Sequence, residues 1–452
     1  MSVAKYNEYI ETICATLPEY SRIDAEDYIR YGVKRGLRND DGTGVIAGVT
    51  KVCDVHGYDM INGVRTPAEG KLYYRGYDVE ELIDGFTADG RYGFEETAYL
   101  LLFGRLPNRD ELEKFNVLLD EGRELPRYFT EDMIIKAPSR NIMNKLGRSV
   151  LAMYSYDDNP DDLSPANIVR QSLELIARFP TIVAHAYQVK RHEYDNRSMH
   201  IHNPKSGLYS AQNLLRLLRS HKVFTEEEAH LIDVCLVLHA DHGGGNNSAF
   251  ACRTLSSAGT DTYAAISAAV GSLKGFRHGG ANLKVLEMMD LYKESVSNPY
   301  DEGVLKDYLV KVLKKEAGDG SGLIYGMGHA VYTLSDPRAK ILRRHAEELA
   351  AEKGLSDDFE LYRRVERLTP ELMAELKGET KPMCANVDLY SGFIYQMLGI
   401  PSEVFTPIFA IARIVGWCAH RMEEVLTQNR IIRPAYKSLF TENPYVPLSD
   451  RP

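Results

Sequence analysis

Apolar residues recur at helical spacing along much of the chain. Leu231, Cys235 and Leu238 lie three or four residues apart and so share one face of a helix. Thr225 and Glu228 precede them in the arrangement of a capping box, in which each side chain accepts a hydrogen bond from the other residue's backbone N–H. This pattern predicts an amphipathic helix that begins just after Thr225.

Three further segments predict helices. Residues 94–102 are amphipathic. Asp336 and Pro337 have the pattern of an N-cap and a first-turn proline, and they open a helix that runs towards Gly354. Residues 403–424 are mostly apolar and predict a long helix.

Strand signals are few and lie near the N-terminus. The Asn62-Gly63 pair favours a hairpin turn, and Lys71–Arg75 predicts a short strand after it. The sequence therefore predicts a mostly α-helical protein with a small β element.

Size and charge limit the possible functions. The 452 residues, of which 44% are hydrophobic and 26% charged, suit one large domain and a smaller one. A net charge of -10 argues against binding to nucleic acid or to an anionic membrane surface. An anionic substrate would need a few well-placed cations.

The cysteines and the apolar segments indicate in which cellular compartment the protein works. The six cysteines are scattered without a C-x-x-C pair, which argues against a disulfide framework or zinc ribbon and fits a reducing cytoplasm. Met1–Glu19 lacks the pattern of a secretory signal. The apolar run 404–418 is interrupted by Arg413 and follows Glu403, so we expect no membrane span.

Two segments place histidines beside glycines. His239 and His242 follow the capped helix, and their spacing would let them share a helix face. The alternative is a glycine-terminated helix end with one core histidine. His278 lies between glycines in Gly275–Asn282, where it could stay neutral and donate a hydrogen bond. The alternative is an exposed histidine on a loop.

A third segment, Gly326–Val331, is followed by Arg338. Val331 stands where the last glycine or alanine of a dinucleotide-binding fingerprint should be, which excludes that motif. The N-terminus of the helix at Pro337 could attract a carboxylate, with Arg338 beside it. Alternatively, Arg338 is a surface charge.

The fourth group is Asp388 with Arg413. Asp388 precedes the apolar helix 389–398, so it is either an N-cap or a catalytic carboxylate. Arg413 is flanked by apolar residues and therefore needs an anion, which its planar guanidinium would bind in a bidentate manner. Arg433 is a second candidate with weaker local support.

These residue types suit proton transfer and carboxylate binding better than covalent catalysis. A metal hydrolase that uses His239, Asp241 and His242 is an alternative, but a clear further ligand is missing. A non-catalytic scaffold is the other alternative.

Taken together, the four segments resemble the citrate synthase family. His239–Asn247 resembles its histidine-aspartate-histidine stretch, and Gly275–Asn282 resembles its loop with a catalytic histidine. Further resemblances, in the family's order, are residues 326–338, residues 386–400, Arg75-Gly76-Tyr77, and the stretch from Glu96 to Pro107. The resemblance implies an all-α homodimer whose large domain (1–277 and 392–452) and small domain (278–391) close over the substrates.

The resemblance also implies roles. Asp388 would remove a methyl proton from acetyl-CoA, His278 would stabilise the enolate, and His329 would polarise the ketone of oxaloacetate. Carboxylates would be bound by His242, Arg338, Arg413 and, from the neighbouring subunit, Arg433. CoA, a co-substrate and not a permanently bound cofactor, would contact Gly326, Met327, Gly328 and Ala330.

Two positions depart from the family pattern. Gly243 replaces a common acidic residue, and Thr333 stands where a lysine or arginine often binds a CoA phosphate. A 2-methylcitrate synthase, which uses propionyl-CoA in the same site, is the nearest alternative, because one methylene is worth only ~1–3 kcal/mol of discrimination.

Overall fold

The structure is a computed structural model that describes residues 3–378, 381–427, 430–440 and 442–451. The chain divides into two compact units. One consists of Met1–Ile46 and Arg433–Pro452, and its helices are α1 (Val3–Ser21) and α2 (Ala25–Arg30). The other, Ala47–Ile432, contains every predicted site residue except Arg433.

The larger unit is mostly helical, which confirms the predicted fold class. Its helices, in chain order, are α3 (Val79–Ala88), α4 (Phe94–Phe103), α5 (Arg109–Glu121), α6 (Ile142–Met153), α7 (Pro165–Asp195), α8 (Ser210–Leu218), α9 (Glu226–His239), α10 (Asn247–Ser257), α11 (Thr262–Lys274), α12 (Ala281–Ser295), α13 (Glu302–Leu313), α14 (Pro337–Lys353), α15 (Ser356–Lys377), α16 (Val387–Met397) and α17 (Phe405–Thr427).

A three-stranded antiparallel sheet is the β element of this unit. Its strands are β1 (Cys53–Ile61), β2 (Val64–Tyr74) and β3 (Tyr77–Asp78). Asn62 and Gly63 join β1 to β2 with φ values of 53° and 78°, the left-handed conformation that a two-residue hairpin turn requires. The predicted hairpin is confirmed, and β2 is longer than the strand expected at Lys71–Arg75.

The predicted helix starts are confirmed where their signals are local. At α9, Thr225 Oγ1 accepts from the N–H of Glu228 at 3.2 Å, and the Glu228 carboxylate accepts from the N–H of Thr225 at 3.1 Å. At α14, the Asp336 carboxylate accepts from the N–H of Arg338 at 3.0 Å, and Gly354 ends the helix at φ 71°.

Helix α17 runs through the core. The segment Ser402–Thr427 is long and apolar enough to cross a membrane, which the sequence analysis did not expect, yet 83% of its most apolar window is buried in the fold. One of its buried charges, Arg421, is fully satisfied: it donates to Ser256 Oγ, the Thr260 carbonyl and Thr262 Oγ1 at 2.8–3.1 Å. The segment therefore has the environment of a core helix.

The helices between 281 and 397 pack largely on one another. Helix α14 packs on α15 and α16, α12 packs on α16, and α13 packs on α15. A separate small domain would need this arrangement. The predicted domain boundaries at 278 and 391 stay a prediction.

Candidate active site

The loop after α9 lies directly against α17. The N–H of Gly416 donates to the Ala240 carbonyl at 3.1 Å, and a Cβ on Gly416 would lie 2.3 Å from Asp241 Oδ1. Only glycine permits this approach. Helix α9 ends at His239, so the expectation that His239 and His242 share a helix face is wrong: the chain turns into the loop between them.

Asp241 fixes this loop through a buried polar network. Arg253 donates to His420 Nδ1 at 2.8 Å, so a neutral His420 carries its proton on Nε2 and donates it to Asp241 Oδ2 at 3.1 Å. The same carboxylate oxygen accepts from the N–H of Gly243 at 3.1 Å. Burial raises the pKa of Asp241, but His420 and Arg413 outweigh it and hold that pKa below its ordinary value.

His242 faces His329 across the site. Their ring centroids lie 5.0 Å apart at 81°. The Nε2 of His242 is inaccessible to solvent and has no hydrogen-bond partner among the residues that the structure describes. Burial, followed by the charge of Arg338, lowers the pKa of His242 well below its ordinary value, so the ring is neutral at pH 7.

The tautomer of His329 follows from its backbone contacts. The N–H groups of Val331 and Tyr332 both donate to His329 Nδ1, at 3.0 and 3.1 Å. A nitrogen that accepts carries no proton, so the neutral ring has its proton on Nε2. His329 is thereby prepared to donate from Nε2.

Backbone pairing brings the His329 segment to the start of α16. The N–H of Gly328 donates to the Cys384 carbonyl at 2.8 Å, and the N–H of Asn386 donates to the Gly326 carbonyl at 2.9 Å. Gly326 has φ +83°, and a Cβ there would meet Leu389 atoms at 2.9–3.0 Å. This glycine is therefore required both by its conformation and by its close contact with α16.

Asp388 is the second residue of α16. The N-cap of this helix is Asn386, whose side chain accepts from the N–H of Asp388 at 3.0 Å. The alternative that Asp388 is an N-cap is therefore wrong. Burial raises the pKa of Asp388 to about 6, against the opposing effects of the Arg338 and Arg413 charges. A carboxylate with this pKa is ionised at pH 7 and is more basic than an ordinary aspartate.

His278 reaches the site from the turn before α12. Its Nε2 lies 3.0 Å from Ser248 Oγ, and its ring centroid lies 6.5 Å from that of Phe409. Burial, and then the charge of Arg413, lowers the pKa of His278 to about 4. The ring is half-buried and neutral at pH 7, so the alternative of an exposed loop histidine is wrong.

Arg413 is a fully buried cation. Its Nε donates to the His239 carbonyl at 2.7 Å, and its guanidinium lies 4.7 Å above the Phe409 ring. Nη1 and Nη2 have no hydrogen-bond partner within the described part of the chain. Burial lowers the pKa of Arg413, although Asp241 opposes this effect. The predicted need for an anion is thus met only at a distance, by the Asp241 charge.

Arg338 is buried as well, so the alternative of a surface charge is wrong. Its Nε and Nη2 donate to the two carboxylate oxygens of Asp336 at 3.0 and 2.7 Å. Burial lowers the pKa of Arg338, but Asp336 outweighs it and raises that pKa overall. The third guanidinium nitrogen, Nη1, takes no part in the pair with Asp336.

The β-hairpin supports the segment after His329, a role that the sequence analysis missed. A Cβ on Gly70 would lie 2.1 Å from the Ser335 carbonyl oxygen, and one on Gly57 would lie 2.7 Å from the Val331 carbonyl oxygen. Thr333 Oγ1 donates to the Gly57 carbonyl at 2.5 Å. The glycines within the two strands were the available signal for this close backbone contact.

The remaining predicted residues are placed as follows. Gly326 is buried, Met327 and Gly328 are half-buried, and Ala330 is exposed. Arg433 belongs to the other compact unit, where it is exposed, and its role stays a prediction. Across the described ranges, no group of three or more His, Cys, Asp or Glu side chains is arranged to hold a metal ion, so nothing there supports the metal-hydrolase alternative.

Comparison with known proteins gives a consistent result. The family model described as citrate synthase, C-terminal domain, matches residues 39–435. A citrate synthase of Synechocystis sp. is 35% identical over 415 residues, covering 90% of this chain and 92% of the relative. A 2-methylcitrate synthase of Shewanella oneidensis is 32% identical over 364 residues, covering 80% and 87%.

Solved structures agree with these relatives. The citrate synthase of Thermoplasma acidophilum, in ternary complex with carboxymethyl coenzyme A and oxaloacetate, superposes with a TM-score of 0.74 at 27% identity. The alignment covers 89% of this chain and 97% of that one.

Proposed function

The chain belongs to the citrate synthase family, and from that premise we propose that it condenses acetyl-CoA with oxaloacetate and hydrolyses the resulting citryl-CoA to citrate and CoA. The observation that carries this proposal is the buried guanidinium of Arg413, whose Nη1 and Nη2 have no partner among the described residues and which lies in the same site as Asp388. A dicarboxylate ligand would satisfy this cation, and the aspartate would supply a base beside it.

Oxaloacetate would be held by its two carboxylates. Arg413 can bind one of them in a bidentate manner with Nη1 and Nη2. Arg338 can offer Nη1, and the neutral ring of His242 can donate from Nε2 when its proton is there. The pairing of Arg338 with Asp336 fixes the direction of that guanidinium before the substrate arrives.

His329 would bind the ketone oxygen of oxaloacetate. Its Nδ1 accepts from two backbone N–H groups, so a neutral ring would donate to the ketone from Nε2. This hydrogen bond would make the carbonyl carbon more electrophilic, and the same proton would neutralise the alkoxide that forms.

Carbon–carbon bond formation starts with proton removal from the thioester methyl group. The methyl proton is only weakly acidic, so Asp388 needs both its raised pKa and a group that stabilises the developing enolate oxygen. The neutral His278 would donate to that oxygen. The enolate carbon would then attack the ketone carbon, and water would hydrolyse the thioester in the second half-reaction.

Several finer features belong to the same proposal. Closure of a small domain, residues 278–391, would exclude water until the carbon–carbon bond is made. CoA would contact the segment from Gly326 to Ala330. The enzyme would be a homodimer in which Arg433 of each subunit reaches the active site of the other. It would act as an acyltransferase of the tricarboxylic acid cycle and would need no permanently bound cofactor. The six free cysteines, five of them buried, fit a reducing cytoplasm.

The test of the proposed base is the Asp388→Asn variant. We expect condensation to slow by at least ~10²-fold, the lower range for loss of a general base, while oxaloacetate still binds. Asp290→Asn is the control, because Asp290 is an exposed aspartate on α12, outside the site, whose pKa is also raised by desolvation. Unchanged turnover in Asp388→Asn would contradict the assignment.

A further inference from the structure

The hydroxyl of Tyr332 is buried without a hydrogen-bond partner. The side chain is only 2% exposed, and its hydroxyl contacts no donor or acceptor in the part of the chain that the structure describes. A buried hydroxyl that makes no hydrogen bond is unfavourable, because it has lost its contacts with water. It therefore needs a ligand atom or an ordered water molecule as its partner.

The Tyr332 ring lies among the side chains that would bind oxaloacetate. Its centroid is 4.6 Å from that of the His329 ring and 5.6 Å from that of the His242 ring. The guanidinium carbon of Arg338 lies 5.5 Å from the same centroid. Since His329 would bind the ketone, and His242 and Arg338 a carboxylate, Tyr332 forms part of the wall of that site.

The β-hairpin fixes the direction of this ring. A Cβ on Gly70 would lie 2.8 Å from Tyr332 Cδ1, and one on Gly57 would lie 2.7 Å from Tyr332 Cα. A ring enclosed by the hairpin, the two histidines and Arg338 has little room to turn. Its hydroxyl is therefore oriented before a ligand binds, which lowers the entropic cost of the contact.

The hydroxyl is a proton donor near the two arginines of the site. Burial raises the pKa of Tyr332, and although the charge of Arg338 opposes this, the pKa stays well above its ordinary value. The phenol therefore keeps its proton at pH 7 and can donate it. Cys53 and Tyr74 influence the pKa of Tyr332 and also that of Arg413, so both groups lie near this pair.

Other buried polar atoms of the site lack partners as well. His242 Nε2 and the Nη1 and Nη2 atoms of Arg413 form no hydrogen bond within the described ranges. One anionic ligand can satisfy the unpaired groups of all three residues. We propose that Tyr332 is a further substrate-binding residue, whose hydroxyl donates a hydrogen bond to the oxaloacetate carboxylate that Arg338 and His242 bind. The inference rests on the proposed function.

The Tyr332→Phe variant tests this role, because it removes the hydroxyl and keeps the ring. Loss of one hydrogen bond to a charged group should weaken oxaloacetate binding, measured by calorimetric titration, by ~10–10²-fold. The carboxylate takes no part in the new bond, so the KM for oxaloacetate should rise by a similar factor while kcat changes less than about threefold. The unfolding free energy of the unliganded protein should not fall, because the hydroxyl has no partner to lose.

Tyr263→Phe is the matched control. Tyr263 is also 2% exposed, but it lies on α11 outside the site, and its hydroxyl donates to Asp157 Oδ2 at 2.7 Å. Loss of that hydrogen bond should lower the unfolding free energy in urea and leave oxaloacetate affinity unchanged.

A second variant restores a donor at the same place. Incorporation of 4-aminophenylalanine at position 332 replaces the hydroxyl by an amino group, whose N–H can also donate to a carboxylate. This protein should bind oxaloacetate more tightly than Tyr332→Phe does.

Four results would overturn the proposal: oxaloacetate affinity of Tyr332→Phe within about twofold of wild type, a loss of stability as large as that of Tyr263→Phe, a loss confined to kcat, or no recovery with 4-aminophenylalanine. Oxaloacetate binding to the wild type is measured first. A wild type that does not bind oxaloacetate would count against the proposed function, whereas normal wild-type binding with any of those four results would count against the role of Tyr332 alone.

Discussion

Replacing Arg413 by methionine should separate ligand binding from stability. Two charge-assisted hydrogen bonds from Nη1 and Nη2 to a carboxylate are worth about 1.5–3 kcal/mol each, or ~3–6 kcal/mol together. At about 1.4 kcal/mol per tenfold, oxaloacetate affinity should fall ~10²–10⁴-fold. Arg413→Lys, which keeps the charge but cannot bind in a bidentate manner, should lie between the variant and wild type.

The stability of the unliganded protein should respond differently. Burial lowers the pKa of Arg413, which means that the folded protein disfavours its charge despite the nearby Asp241. Methionine removes this buried charge at the cost of one hydrogen bond to the His239 carbonyl. We therefore expect an unfolding free energy that is unchanged within about 1 kcal/mol or is higher than in wild type.

Arg421→Met is the matched control on the same helix. Arg421 is also fully buried, but its three donors are bound to Ser256, Thr260 and Thr262. Its loss should lower the unfolding free energy by at least ~3 kcal/mol. Urea unfolding and calorimetric titration with oxaloacetate measure both quantities. If Arg413→Met destabilises the apo protein as much as Arg421→Met, or still binds oxaloacetate normally, the reasoning about an unsatisfied cation is refuted.

Three further predictions concern other parts of the site. Asp388 must be ionised to act and has a pKa raised to about 6, so kcat/KM should fall as the pH drops below about 6. His278, with a pKa lowered to about 4, should cause no further change in kcat/KM between about pH 5 and 8. A kcat/KM that stays constant down to about pH 5 would contradict the assignment of Asp388 as the base. Gly416→Ala should lower the unfolding free energy, measured in urea, by at least ~2 kcal/mol, because the new Cβ would lie 2.3 Å from a carboxylate oxygen. Gly271→Ala is the control and should change the unfolding free energy little, because the space around its Cβ is open. Equal stability of the two variants would contradict the close packing at Gly416. Mixed dimers of Arg433→Ala and Arg413→Ala subunits should regain activity, since one site would keep both arginines, and their inactivity would exclude the cross-subunit role.

Local signals allowed the helices and the hairpin to be predicted. The partners at the start of α9, Thr225 and Glu228, lie three residues apart, and the Asn62-Gly63 turn needs only its own two φ values. Such features depend on short-range hydrogen bonds and backbone preferences, so neighbouring residues contain the necessary information. Arg413 could be selected for a similar reason, because an arginine among apolar residues is conspicuous in sequence.

Other parts of the site depend on residues that are distant in the chain. Asn386, not Asp388, begins α16, and its side-chain amide also donates to the Gly328 carbonyl at 2.9 Å. His420 meets Asp241 across 179 positions of sequence, and the hairpin meets the segment after His329 across more than 260. Neither contact has a local pattern, so sequence alone could not place the groups that orient the histidines.

The most direct test of the central claim is CoA thiol release by the wild-type protein with oxaloacetate, with acetyl-CoA and propionyl-CoA compared at matched subsaturating concentrations. We predict release that requires oxaloacetate and a clear preference for acetyl-CoA. Equal or faster release with propionyl-CoA would move the assignment to methylcitrate synthesis, and no release with either thioester would contradict the proposal that this site makes a carbon–carbon bond.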